Sequence, residues 1–405
     1  MRILIPYHSL ELAAQVFDIL LLAGKQGFDI DSIGLGLSVE ETVDIVDEKI
    51  IRLSSNLFPD FESHNDEIDI TTLIYGAKIS DDTVTRTDYV HIGADVPGRR
   101  IDTWQYLGQP VVLAPVQSLT ESQSRHHLAW VAASLALGFP FEDALVLSRA
   151  AMNVSRETWP TQFSSFPKIE QHSVLVPSTP FRRLSKQSLG LYPVVDNAEW
   201  VERLLMLGIT TIQLRIKDST RNDLEKQIAE AIALGKQFKA QVFINDHWQL
   251  ALKYQAFGVH LGQEDMHQAD LALLANSGLA LGLSTHGYFE LLRIYQHQPS
   301  YIALGHIFPT TTKQMPSKPQ GLARLGLYQT LLNSMPYGDS SGVPSVAIGG
   351  IDLSNIEQVV EQGVDSVAVV RAITESGDVA KAVAELRCKL NQSSLNKPEV
   401  FDAIG

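Results

Sequence analysis

The chain has 405 residues, 45% of them apolar and 19% charged, which excludes a disordered, fibrous or bulk-membrane protein. Its single cysteine, Cys388, excludes an internal disulfide and a cysteine-based zinc site and fits a reducing compartment. No apolar run approaches the ~20 residues of a membrane helix, the start lacks the parts of a signal peptide, and a net charge of −14 opposes non-specific nucleic-acid binding.

The expectation is a cytoplasmic protein acting on small molecules, with no membrane or nucleic-acid partner and with homo-oligomerisation left open. Charge is unevenly spread: residues 1–180 carry 12 Lys+Arg against 24 Asp+Glu, and residues 181–405 carry 20 against 22. The acidic half suits a solvated surface, while the nearly neutral half can hold a locally positive, anion-binding site.

In chain order, Arg2–Pro6 is a candidate strand, Leu10–Ala23 an amphipathic helix, and Tyr89–Ile92 and Pro110–Pro115 further strands. Leu128–Ala151 predicts two helices around a Gly138-Phe-Pro turn. Residues 1–175 therefore predict an α/β layered domain. Residues 176–188 contain Pro177 and Pro180 among small polar residues and predict a linker.

From there, eight apolar runs alternate with eight amphipathic stretches. The runs are Gly190–Asp196, Thr211–Lys217, Val242–Asp246, Gly258–Gly262, Ala280–Thr285, Tyr301–Phe308, Ser345–Gly349 and Ser366–Ile373. The helix candidates include Arg221–Phe238, Gln268–Ala275, Tyr288–Tyr295 and Val379–Leu390. Eight complete βα units favour a TIM (β/α)8 barrel over residues 189–395, with a tail at 396–405. A doubly wound sheet shows the same alternation but suits eight uninterrupted units less well.

In a barrel the chemistry sits at the C-terminal ends of the strands. Gln213-Leu-Arg215-Ile-Lys217 places an amide, a guanidinium and an ammonium on one face, an arrangement suited to an anion; a solvated strand face is the plainer alternative. Asp246 and Asp265 end consecutive strands and could share Mg2+ with a substrate phosphate, or each could cap the helix that follows. Thr310-Thr311-Thr312-Lys313 offers hydroxyls and a cation, Gly349-Gly350 permits close backbone approach, and the turn at Val370-Arg371 can aim N–H groups at a phosphate. His260 and His286 also lie at strand ends, where a buried, backbone-bonded histidine is the simpler reading.

Taken in order, GLYPVVD (190–196), QLRIKD (213–218), FIND (243–246), GVHLGQED (258–265), GLSTH (282–286), YIALGHIFPTTTKQMPS (301–317), AIGGI (347–351) and SVAVVRAI (366–373) resemble thiamine-phosphate synthase. The resemblance implies condensation of 4-amino-2-methyl-5-hydroxymethylpyrimidine diphosphate with the phosphate of 4-methyl-5-hydroxyethylthiazole, by dissociative substitution, with release of pyrophosphate.

It implies Mg2+ on Asp246 and Asp265, and Gln213, Arg215, Lys217, Asn245, Ser284 and Lys313 around the pyrimidine diphosphate. Of these, Arg215, Lys217, Ser284 and Lys313 would be catalytic. Thr310, Thr312, Gly350, Val370 and Arg371 would seat the thiazole phosphate. The family often has a serine where this chain has Arg371: if backbone N–H groups bind the phosphate there, the change is tolerated and Arg371 can add a contact, and otherwise that corner departs from the family.

The helix pair at 128–151 resembles the C-terminal helices of ribokinase-like hydroxymethylpyrimidine phosphate kinases. Where those kinases carry a glycine-rich anion hole, this chain reads Glu121-Ser-Gln-Ser-Arg125-His126-His127. A catalytically silent, kinase-derived domain is therefore expected. A bifunctional kinase–synthase and a non-catalytic ligand-binding regulator are the alternatives.

Overall fold

The computed structural model describes residues 1–59, 61, 70–80, 84, 89–170, 179–310 and 318–395. The chain packs as two units, the first comprising Met1–Val174 and Gly287–Arg293, the second Leu175–His286 and Ile294–Gly405.

The first unit is built on a nine-stranded sheet in the order β2-β1-β3-β4-β5-β6-β7-β8-β9. These strands are β1 (Arg2–Pro6), β2 (Gly34–Ser38), β3 (Val43–Val46), β4 (Ile50–Ser55), β5 (Ile70–Tyr75), β6 (Val90–Val96), β7 (Arg99–Tyr106), β8 (Gln109–Leu113) and β9 (Ile169–Glu170). Pairing is parallel at β1–β2, β4–β5 and β5–β6 and antiparallel elsewhere.

Helices Leu10–Lys25, Glu121–Ala136 and Phe141–Ala151 complete the layers. The stretch Glu121–His127, expected to precede a helix, is its first two turns. Thr120 caps it: its hydroxyl accepts from the N–H of Gln123, whose side chain accepts in return from the N–H of Thr120. At the centre of the unit Arg149 donates to Asp102 (Nε to Oδ2, 2.7 Å), and both are buried.

The second unit is a closed barrel of eight parallel strands. In order they are β10 (Leu191–Val195), β11 (Thr211–Leu214), β12 (Gln241–Asn245), β13 (Gly258–Leu261), β14 (Ala280–Thr285), β15 (Tyr301–Gly305), β18 (Ser345–Ile348) and β19 (Ser366–Val369). β19 pairs back onto β10 and closes the ring, the outcome that eight βα units predict. A small hairpin, β16 (Pro336–Tyr337) with β17 (Ser340–Ser341), precedes β18.

The predicted runs overshoot the strands at their C-terminal ends. β11 stops at Leu214, not Lys217, β15 at Gly305, not Phe308, and Arg371–Thr374 is a short helix, not strand. Ile216, Ile307 and Ile373 remain buried beyond those ends, so apolar character persists after ladder pairing has stopped.

The barrel interior is filled by Tyr192, Val194, Phe243, Tyr301, Ala303, Val346 and Ala368. Phe243 meets Tyr301 edge-on with ring centroids 5.2 Å apart. Phe181 and Leu184, from the described end of the predicted linker, are buried, and Leu184 joins this core. The floor beneath the barrel mouth is thus packed and aromatic, and the functional groups stand above it. The predicted tail at 396–405 lies outside the described residues.

Candidate active site

A cavity of about 1210 Å3 opens at the C-terminal ends of the strands. Gln213, Arg215, Lys217, Asn245, Asp246, Asp265, Ser284, Thr310, Gly350, Val370 and Arg371 all line it. Every predicted site residue within the described chain is therefore brought to one place. Thr312 and Lys313 fall outside the described residues.

The alternation read in Gln213-Leu-Arg215-Ile-Lys217 survives although the ladder ends midway. Leu214 is buried and does not line the cavity, Ile216 is buried at its wall, and all three polar residues line it. Arg215 is held in line by its backbone N–H, which donates to the Val195 carbonyl at 2.7 Å.

Asp246 follows β12 with φ 62°, a left-handed conformation that side-chained residues adopt sparingly. Its backbone N–H donates to the His260 carbonyl at 3.0 Å, and Asn245 Nδ2 donates to its carboxylate. The capping alternatives fail for both aspartates. Helix Trp248–Lys253 receives no side-chain cap, and Asp265 lies inside helix Gln263–Gln268, whose cap position is Gly262.

Burial and the nearby Asp265 together raise the Asp246 carboxyl to about 6, against the pull of Arg215 and His247. Two carboxylates this close repel once both are ionised, and a cation between them removes the conflict. Among the described residues no group of three His, Cys, Asp or Glu side chains could hold a metal ion. Two carboxylates alone fit a hard cation such as Mg2+, which keeps waters and takes phosphate oxygens as its other ligands.

The opposite corner is shaped by glycine. Gly350 has φ 66°, and a Cβ there would sit 2.6 Å from the Pro309 carbonyl oxygen and 2.8 Å from Phe308 Cβ. Only glycine lets the loop after β18 come this near the loop after β15. Asn355 secures the Gly350 carbonyl with a 2.9 Å hydrogen bond from Nδ2. The Arg371 side chain is exposed at the rim.

His260 departs from the backbone-bonded reading: its ring nitrogens meet the side-chain oxygens of Tyr301 and Ser284, each at 2.8 Å. Gln263 was not singled out by the sequence, yet it lines the cavity and its Nε2 donates to the Ser284 carbonyl at 2.6 Å. Its place directly after the Gly258–Gly262 run, two residues before Asp265, was the available signal.

The fold and cavity define a TIM-barrel enzyme whose site combines two carboxylates with anion-binding cations and amides at the strand ends. Residues 191–373 match the family model described as thiamine monophosphate synthase. The chain is 54% identical to the thiamine-phosphate synthase of Proteus mirabilis over 202 residues, 50% of this chain and 90% of that one. It is likewise 54% identical to that of Pectobacterium atrosepticum over 210 residues, 52% and 94% of the two chains.

Among solved structures, thiamine phosphate pyrophosphorylase from Pyrococcus furiosus aligns at 29% identity and a TM-score of 0.44, covering 51% of this chain and 98% of that one. The chain belongs to the thiamine-phosphate synthase family and is a transferase that makes thiamine phosphate. No described helix is long and apolar enough to cross a membrane.

Proposed function

We propose that the cavity joins the pyrimidine diphosphate to the thiazole phosphate in a Mg2+-assisted, dissociative substitution. The observation that carries this reading is the convergence of Arg215, Lys217, Asp246, Asp265 and Ser284 in one cavity at the strand ends. Asp246 and Asp265 would hold Mg2+, which supplies positive charge to the departing diphosphate.

Arg215 and Lys217 neutralise the same oxygens, and Gln213, Asn245 and Ser284 orient the diphosphate and the pyrimidine by hydrogen bonds. The bond from the pyrimidine methylene to the diphosphate oxygen breaks, with its electron pair leaving on pyrophosphate. The electron-rich aminopyrimidine carries the resulting cation. The thiazole nitrogen then forms the new carbon–nitrogen bond, and having no proton to lose it needs no general base.

Thr310, Gly350 and the Val370-Arg371 turn hold the thiazole phosphate so that this nitrogen faces the cation, and positioning supplies most of the remaining rate. Thr312 belongs to the same assignment, and Lys313 joins Arg215 and Lys217 on the diphosphate. The protein acts on these small molecules in the cytoplasm.

For the first unit we propose a role other than phosphoryl transfer. The N–H groups of Thr120 and Gln123, at the helix start where an anion hole would be needed, are taken by the capping box. ATP consumption on the pyrimidine monophosphate would contradict this.

The synthase reading is tested with Asp246→Ala and Asp265→Ala together. Turnover is expected to fall by at least about 100-fold, as when a principal source of transition-state charge stabilisation is lost. Retained activity would contradict the metal assignment.

A further inference from the structure

Ser284 is held more firmly than a simple pocket-lining hydroxyl requires. Its carbonyl accepts from Gln263 at 2.6 Å, and its Oγ lies 2.8 Å from His260 Nε2. The other ring nitrogen, Nδ1, lies 2.8 Å from the Tyr301 hydroxyl, which lies 2.8 Å from that of Tyr192. Gln213 lies beside both tyrosines and holds down the rise that burial gives their hydroxyl pKa.

The result is a closed run of polar groups from strands β10, β11, β13, β14 and β15, lying on the aromatic floor. His260 is 6% exposed and both tyrosines are fully buried. The two ends of the run, Gln213 and Ser284, line the cavity. Space for it is built into the barrel: a Cβ at Gly282 would lie 2.1 Å from Tyr301 Cζ and 2.4 Å from its hydroxyl oxygen.

We propose that His260 is a positioning residue that fixes the Ser284 hydroxyl as a donor toward a phosphate oxygen, and that Tyr301 locks the imidazole orientation. The inference rests on the reading of Ser284 as a diphosphate contact. A neutral imidazole donates through one nitrogen and accepts through the other. With the Tyr301 hydroxyl donating to Nδ1, the Nε2–H donates to Ser284 Oγ, and the serine proton is left to point into the cavity.

The opposite polarity would turn a serine lone pair toward an anion and weaken binding. Gln213 sits at the other end of the same run, so the pyrimidine diphosphate meets one pre-set polar layer in place of two independent side chains. Such pre-organisation acts on the diphosphate and leaves the thiazole phosphate corner alone.

The test is a double-mutant cycle on the full chain, with kcat and KM measured separately for each substrate. Ser284→Ala and His260→Ala should each lower kcat/KM for the pyrimidine diphosphate by about 10- to 100-fold, the range for one hydrogen bond to a charged group. The KM for the thiazole phosphate should not move. Combining them should cost no more than the worse single change, and Tyr301→Phe should give a smaller loss in the same parameter.

A His260→Ala loss that persists undiminished in the Ser284→Ala background overturns the proposal, as does a loss shared equally by both substrates. Wild-type kinetics in Ser284→Ala would instead refute the placement of Ser284 on the diphosphate, a different failure. If His260→Ala does not fold, His260→Gln carries the same cycle. Nitrogen NMR of His260 gives an independent readout: a proton on Nε2 supports the donor orientation, and a proton on Nδ1 overturns it.

Discussion

Asp246 shows most sharply how a single side chain links folding to the reaction. Burial and Asp265 raise its carboxyl to about 6, so the folded protein binds this proton more tightly than the unfolded chain, whose aspartate titrates near 3.9. The associated stability is fully present below about pH 4 and is lost as pH rises through about 6. Above that the pair repels, and a divalent cation relieves it. Thermal melts should therefore show Mg2+ raising the midpoint more at pH 8 than at pH 5, and Asp246→Asn abolishing the difference. Equal shifts at both pH values in the wild type would contradict the shared-cation reading.

The sequence left metal and capping roles open for both aspartates, because an Asp before a helix serves either purpose. What set the capping roles aside was local structure, the helix after Asp246 that takes no side-chain cap and the placement of Asp265 inside a helix, neither of which is written in residue type. Tyr192 and Tyr301 went unnoticed for a related reason. Inside apolar runs they look like core, and only the closed barrel brings the Tyr301 hydroxyl to His260 and that of Tyr192 to Tyr301.

Among the elements, the eight strands were legible because each couples a short β-branched run to an amphipathic helix, and that alternation leaves few topologies. Their ends were not, since Ile216, Ile307 and Ile373 stay buried after pairing stops. The helix Gln263–Gln268 and the hairpin at 336–341 escaped notice because each is too short to establish a period.

Gly282 carries an element-level consequence. Two atoms of the buried Tyr301 ring and its hydroxyl lie within 2.4 Å of where a Cβ would be, so β14 and β15 can pair here only with glycine at 282. Gly282→Ala should destabilise the second unit by about 1–3 kcal/mol through overpacking. Urea unfolding followed by barrel tryptophan fluorescence checks this, and an unchanged midpoint would show that Tyr301 moves aside freely.

At the scale of the whole chain, the charge asymmetry and the loss of regular βα alternation before residue 190 point to two different bodies; the compact units divide elsewhere too, Gly287–Arg293 grouping with Met1–Val174. The architecture of the first was less legible, because its mixed sheet lacks a repeating pattern. The first unit should lose stability in acid. There, burial and Arg156 lower His126 to about 4, and burial, Arg149 and His126 hold His127 well below the usual histidine range.

A histidine lowered by folding contributes stability that is present above about 6.5 and lost as pH falls, because the unfolded chain takes up the proton first. Pulse proteolysis in urea, with fragments assigned by mass, should find the first unit less resistant at pH 5 than at pH 8. Equal resistance would contradict the assignment of these histidines as buried and neutral.

The most direct measurement is formation of thiamine monophosphate by the full-length chain, given the pyrimidine diphosphate and the thiazole phosphate, with Mg2+ and then with EDTA. Product and pyrophosphate in equal amounts, only with Mg2+, is the result predicted by a cavity that joins Asp246 and Asp265 to Arg215, Lys217 and Ser284. Equal product in EDTA would contradict the metal-assisted mechanism, and no product under either condition would contradict the assignment of the barrel as a working synthase.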